Sequence, residues 1–148
     1  RKSAFVSDAI LGLSDATGTQ FVVDAGSCND SSITELDLSG FEKMERFEVG
    51  DDCFECVNEL RLIGLRELES VVVGMSCFTK NDDEDPNRRF LLKNCPSLRE
   101  LRIGCYSFSD YTVCEIENVD ALEVIETNAA PFYYASLELK STLIHSRR

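Results

Sequence analysis

The sequence predicts a repeat solenoid of α/β type, mostly β, with parallel strands and about four to five copies of about 24 residues. Three observations carry that expectation. The first is a set of fixed offsets. With Leu62 as zero, apolar residues follow at 3 (Leu65), 6 (Leu68), 9 (Val71) and 11 (Val73), then Gly74, then Phe78 at 16. The same offsets from Leu38 give Phe41, Met44, Phe47, Val49, Gly50 and Phe54; from Leu92 they give Cys95, Leu98, Leu101, Ile103, Gly104 and Phe108. From Ile116 they give Val119, Leu122 and Ile125, after which Thr127 and Asn128 replace the apolar residue and the Gly before Phe132. The second observation is alternation. Each copy holds two short runs with apolar residues at every other position, the pattern of a strand with one face inward. The third is the interval, which is 24 residues from Leu38 to Leu62, 30 to Leu92 and 24 to Ile116.

Taken in order, residues 1–20 form an irregular N-terminal segment, and residues 21–148 the repeat domain. Ala4 to Leu13 carries Phe5, Val6, Ile10, Leu11 and Leu13, which fits a helix or a strand equally well; Gly12, Asp15, Gly18 and Thr19 read as turns. Phe21 and Val23 stand where Phe47 and Val49 do, and Cys28 where Phe54 does, so an edge copy begins here. The first runs are Leu36-x-Leu38, Leu60-x-Leu62, Phe90-x-Leu92, Cys114-x-Ile116 and Leu137-x-Leu139; the second are Phe47-x-Val49, Val71-x-Val73, Leu101-x-Ile103 and Ile125-x-Thr127. Between the runs the three-residue spacing suits a turn or one loose helical turn. The Gly that closes most copies is expected to supply a backbone conformation other residues avoid. The Phe after it is expected to fill the interior. The longer interval has a visible source in residues 80–89, KNDDEDPNRR, which hold no apolar residue and read as a solvated insertion, with a contact loop for the partner as the alternative, since loops on a rigid scaffold often carry recognition. The final unit begins at Leu137, and only its first run is present.

Composition narrows function. With 27 acids against 15 bases the net charge is −12, which offers little to neutralise a nucleic acid. No apolar run approaches the roughly 20 residues of a membrane span, and no basic-then-apolar leader follows Arg1. Seven cysteines are present. Cys53 and Cys77 share one offset with Ser107, and Cys95 shares another with Phe41, Leu65 and Val119, as small buried hydrophobes do. An odd count with thiols at core offsets favours a reducing compartment. The cell surface is the alternative, for which Asn29-Asp30-Ser31 is a glycosylation sequon.

Catalytic signals are sparse, and the expectation is no enzyme, no cofactor and no metal. The one histidine, His145, lies near the end of the sequence, where a nucleophile–His arrangement would have to recruit it. Cys53-x-x-Cys56 has the spacing of half a zinc site without a second pair. Asp82, Asp83, Glu84 and Asp85 lack the ligand spacing and glycine of a calcium loop. No glycine-rich phosphate loop is present.

Met44-x-x-Phe47-x-Val49, Leu68-x-x-Val71-x-Val73, Leu98-x-x-Leu101-x-Ile103 and Leu122-x-x-Ile125-x-Thr127 resemble the LxxLxL core of leucine-rich repeats. Their continuations Val49-Gly50-x-x-Cys53-Phe54, Val73-Gly74-x-x-Cys77-Phe78 and Ile103-Gly104-x-x-Ser107-Phe108 are similar to the I-G-x-x-A-F signature of the BspA-like class. The usual Pro after the strand is missing, and the period is slightly long. The resemblance spans roughly Phe21 to Leu139. It implies a curved leucine-rich-repeat coil with a parallel sheet on the concave side, a role in binding macromolecules and, for the BspA-like class, frequent occurrence in surface or adhesive proteins.

The outward residues of the second runs make a grid: Arg46, Ser70, Glu100 and Val124 in one row, Glu48, Val72, Arg102 and Glu126 in the next. They vary from copy to copy while the inward residues do not, so they are the candidate partner-binding residues. Val72 and Val124 stand out as apolar anchors among charges. The expected activity is binding of a protein partner through this face, with a basic patch on that partner complementing the net charge and the chain as one subunit of a larger complex. The alternatives are one stretch of a surface or adhesive array, and a targeting segment of a larger enzyme.

Overall fold

The computed structural model describes residues 16–80 and 87–127, together with the backbone of 136–140. The expectations placed on Ala4 to Leu13, on Asp15, on Asp82 to Asp85, on Phe132 and on His145 fall outside these residues. The described residues form strands β1 (Gln20–Val23), β2 (Glu35–Asp37), β3 (Arg46–Val49), β4 (Glu59–Ile63), β5 (Ser70–Val73), β6 (Arg89–Lys93), β7 (Glu100–Ile103), β8 (Val113–Glu117), β9 (Val124–Thr127) and β10 (Ser136–Lys140), with no helix among them.

The chain alternates between two sheets, strand by strand. The order is β1-β3-β5-β7-β9 in the first sheet and β10-β8-β6-β4-β2 in the second, and all pairs are parallel. Register follows the sequence offsets. Phe21, Phe47, Val71, Leu101 and Ile125 pair in one column of the first sheet. Leu36, Leu60, Phe90, Cys114 and Leu137 do so in the second. The 30-residue interval pairs in the same register as the 24-residue ones. Period-two alternation turns the apolar set of both sheets inward to one continuous core.

Between the runs the chain makes a turn, and the helical alternative does not occur among the described copies. The N–H groups of Met44, Leu98 and Leu122 donate to the carbonyls of Phe41, Cys95 and Val119 three residues back at 3.0, 3.2 and 3.0 Å. Such a three-residue closure cannot propagate where the next residues must extend into a strand.

The glycines at the end of the second runs have a role other than the expected one. Gly50, Gly74 and Gly104 do not adopt positive φ. They are small because the preceding copy is close: a Cβ on Gly104 would stand 2.6 Å from Gly74 C and O, and one on Gly50 2.7 Å from Ala25 N. Left-handed backbone recurs instead at three other offsets. Offset 2 holds Gly64, Asn94 and Asn118; offset 14 holds Gly26, Asp52, Ser76 and Tyr106; offset 16 holds Cys28, Phe54, Phe78 and Phe108. Gly and Asn tolerate this region, but an aromatic there costs roughly 1–2 kcal/mol.

Packing outweighs that strain. Phe54, Phe78 and Phe108 are fully buried and stack in register, with ring centroids 5.0 and 4.7 Å apart and planes 18° and 6° from parallel. Burying each ring is worth about 1.5–3 kcal/mol, and each aromatic pair adds about 0.5–1.5 kcal/mol. The left-handed φ turns each ring from the chain edge into the stack.

Two substitution pairs follow. Gly104→Ala should destabilise by several kcal/mol because backbone rather than a side chain blocks the Cβ, whereas Gly40→Ala, with open space and ordinary φ, should be neutral or stabilising by about 0.5 kcal/mol. Phe78→Ala should cost about 3–5 kcal/mol, and Phe78→Gly about 1 kcal/mol less, reversing the usual order because glycine relieves the φ of 57°. Urea unfolding of the four variants measures both contrasts; a Phe78→Gly loss larger than that of Phe78→Ala would contradict the strain argument.

Candidate functional site

The outward residues nominated from the sequence lie together on the first sheet. Register places Gln20, Arg46, Ser70, Glu100 and Val124 in one row, and Val22, Glu48, Val72, Arg102 and Glu126 in the neighbouring row. The rows are knitted by charge. Arg46 Nη2 lies 3.0 Å from Glu48 Oε1, and Arg102 bridges Glu100 within its own strand and Glu126 on β9. Ser70 Oγ donates to Glu100 Oε1 at 3.0 Å. The Arg102 hydrogen bond, ahead of a smaller contribution from Ser70, holds the Glu100 carboxyl below the usual carboxylate range, and the same bond raises Arg102.

Two of the nominated residues differ from the expected exposure. Ser70 is only 8% exposed, a short side chain overlain by its long row neighbours Arg46 and Glu100. Val72 is partly covered between Glu48 and Arg102, while Val124 is 37% exposed. The sequence reading omitted Val22, which is 45% exposed at the opposite end of the second row. Its position in the edge copy, two before Asp24, was the available signal. The face therefore carries exposed valines at opposite ends and bridged charges between them.

The second sheet has a comparable outer face that was not nominated. Arg61 pairs with Glu59 at 2.9 Å and Asp37 at 3.8 Å; Lys93 lies between Glu115 at 2.7 Å and Glu117 at 3.9 Å. Leu91 is buried in its middle row between Arg61 and Glu115. Beyond the first sheet, at the turn after its strands, Met75 and Tyr106 are 50% and 54% exposed. A shallow groove of about 500 Å³ runs along another corner, lined by Gly64, Arg66, Asn94, Pro96, Asn118 and Asp120, with Asn118 Nδ2 donating to Asn94 Oδ1 at 2.8 Å.

The cysteines serve the stack. All seven thiols are free. At offset 15 the Sγ of Cys53 donates to the Asp24 carbonyl at 3.1 Å, the Sγ of Cys77 to Gly50 at 2.9 Å, and the Oγ of Ser107 to Gly74 at 2.6 Å, each reaching one copy back. A thiol and a hydroxyl thus do the same work in one column. Burial pushes Cys77 and Cys114 up to about 12, and also raises Cys28 and Cys95, so thiolate is scarce at these sites near neutral pH. Asn29 of the sequon is engaged at both ends: its Nδ2, the atom a glycan would occupy, donates to the Asp52 carbonyl at 2.9 Å, and its Oδ1 accepts from Glu55 N–H at 2.9 Å.

Among the described residues no cluster of three or more His, Cys, Asp or Glu side chains is arranged to hold a metal ion. No helix among them is long and apolar enough to cross a membrane. No protein-family model matches the chain, and neither curated proteins nor solved structures yield a match.

Alkylation at pH 8 should label Cys105 fastest, Cys28 more slowly, and Cys77 and Cys114 only as the protein opens. Because the folded state holds Cys77 and Cys114 near 12 against about 9 when unfolded, their contribution to stability is intact below pH 9 and falls away between pH 9 and 12. Urea midpoints across that range check the sign; a midpoint that rises above pH 9 would refute it.

Proposed function

We propose that this chain is a non-catalytic protein-binding module, folded as a leucine-rich-repeat solenoid of the BspA-like kind, that engages a protein partner through the outer face of the first sheet. The observation that carries the reading is that face: two rows whose inward neighbours repeat while the outward residues change from strand to strand, with exposed Val22 and Val124 bracketing Arg46, Glu48, Glu100, Arg102 and Glu126. Apolar anchors ringed by charges suit a recognition surface. The fold part of the reading is supported by the in-register stacking of equivalent offsets and by the roles of the motif residues: Gly at the close approach, Cys or Ser as the donor to the previous copy, Phe in the stack.

The excess of acid over base, 27 to 15, favours a partner with basic residues and disfavours nucleic acid. Val22 and Val124 would meet apolar residues of the partner. Arg46 and Arg102 would exchange their intramolecular carboxylates for those of the partner, or hold them while a partner cation meets Glu48 and Glu126.

The test compares faces. A triple variant Arg46→Glu, Arg102→Glu, Val124→Asp should abolish capture of partner proteins, because it inverts the charges and places a carboxylate at an apolar anchor. The control, Arg61→Glu with Lys93→Glu on the second sheet, should retain it. Individually, exposed ion pairs such as Arg102–Glu126 contribute little to folding, so Arg102→Ala should leave the urea midpoint nearly unchanged while weakening binding. Loss of capture in the second-sheet control with retention in the first-sheet variant would move the site to the other face.

A further inference from the structure

Residues 80–89 bring no apolar residue to an offset that is apolar in the copies on either side. At offset 19 one copy has Val57 and another Tyr111, both fully buried. The copy between them has Asn81 at that offset, and no apolar residue anywhere from Lys80 to Arg89. A stacked column needs something at each level, since voids and unpaired polar groups are both costly.

Described side chains from either side meet at this level. Tyr111 Oη donates to the Val57 carbonyl at 2.6 Å, reaching back across the intervening copy. Arg88 Nη2 donates to the same carbonyl at 3.0 Å and to that of Glu55 at 3.0 Å, with a longer contact to the Phe78 carbonyl at 3.5 Å. Arg88 Nη1 lies 3.6 Å from Asp110 Oδ2, and its guanidinium sits 5.2 Å from the centre of the Tyr111 ring. Asp110 Oδ2 in turn accepts from the Lys80 N–H at 3.2 Å. Arg88 and Asp110 are both buried, although the insertion read as solvated. The residues equivalent to Arg88 in other copies, Thr34, Asn58 and Thr112, are not buried, so the inward turn of this side chain is particular to the copy with the insertion.

We infer that Arg88, Asp110 and Tyr111 form a polar plug in place of the missing apolar layer, and that the plug, not the inserted residues, closes the core there. Arg88 lies two residues after segment 81–86 and touches the carbonyl of Phe78 before it, so one guanidinium ties the two described flanks together. Residues 81–86 account for the difference between the 30-residue and 24-residue intervals. With the core closed by the plug, residues 81–86 are not needed for folding, and their sequence is free to change without cost to the ladder.

The test pairs a loop variant with plug variants. Replacing residues 81–86 by Gly-Ser-Gly-Ser-Gly-Ser should leave Tm unchanged. Arg88→Met should lower Tm by about 10 °C, because removing one member of a buried pair strands the other, and should speed alkylation of Cys114 at least about tenfold through local opening. The double variant Arg88→Met, Asp110→Leu should recover part of that loss, since an apolar pair removes the desolvation penalty that either single variant leaves. Equal Tm losses for the Gly-Ser variant and Arg88→Met overturn the inference, as does simple addition of the two single losses in the double variant. Should Arg88→Met fail to fold, the Gly-Ser variant still decides: an unchanged Tm supports the plug, and a comparable collapse removes it.

Discussion

Everything in this chain depends on equivalent residues lying one strand spacing, about 4.8 Å, apart in register. That constraint is severe. It forces each inward offset to accept a side chain of similar bulk above and below, and it forbids a Cβ where the turns nest, as at Gly50 and Gly104. It also rewards repetition, because a ring placed above a ring gains stacking that a lone ring would not. Phe54, Phe78 and Phe108 hold a backbone conformation unfavourable for any one of them because the three share the gain.

The inward half of the structure was legible for the same reason. Offsets 0, 6 and 16 recur in the sequence because they recur in space: Leu38, Leu62 and Leu92, Met44, Leu68 and Leu98, and Phe54, Phe78 and Phe108 are all buried. The left-handed positions were not legible. A phenylalanine at offset 16 announces a buried ring and says nothing of φ, which is set by the need to aim the ring after the strand has ended. The glycines misled for a related reason: a Gly signals either a special φ or a close neighbour, and only the neighbouring copy decides which.

The outer face was half legible. Alternation identified which residues point outward, but exposure depends on the lengths of the row neighbours. Ser70 and Leu91 face outward and are nonetheless covered, each flanked by an arginine on one side and a glutamate on the other. Arg88 was misread for the converse reason. Composition assigned it to a solvated loop, whereas its guanidinium turns inward to the carbonyls of Glu55 and Val57 and to Asp110, which lie far from it in the sequence. Local charge cannot report partners that only stacking brings near.

The constant spacing of the outer rows has a metric consequence. Along a strand, side chains on one face recur about every 6.6 Å; across the sheet they recur about every 4.8 Å. The first sheet is therefore a two-axis ruler with unequal divisions. An extended segment lying along the strands shares the longer division and can match a few positions in step, while the same segment lying across them falls out of step after one or two. Any orientational preference of an extended chain laid on this face would thus be set by the lattice before any particular side chain is considered.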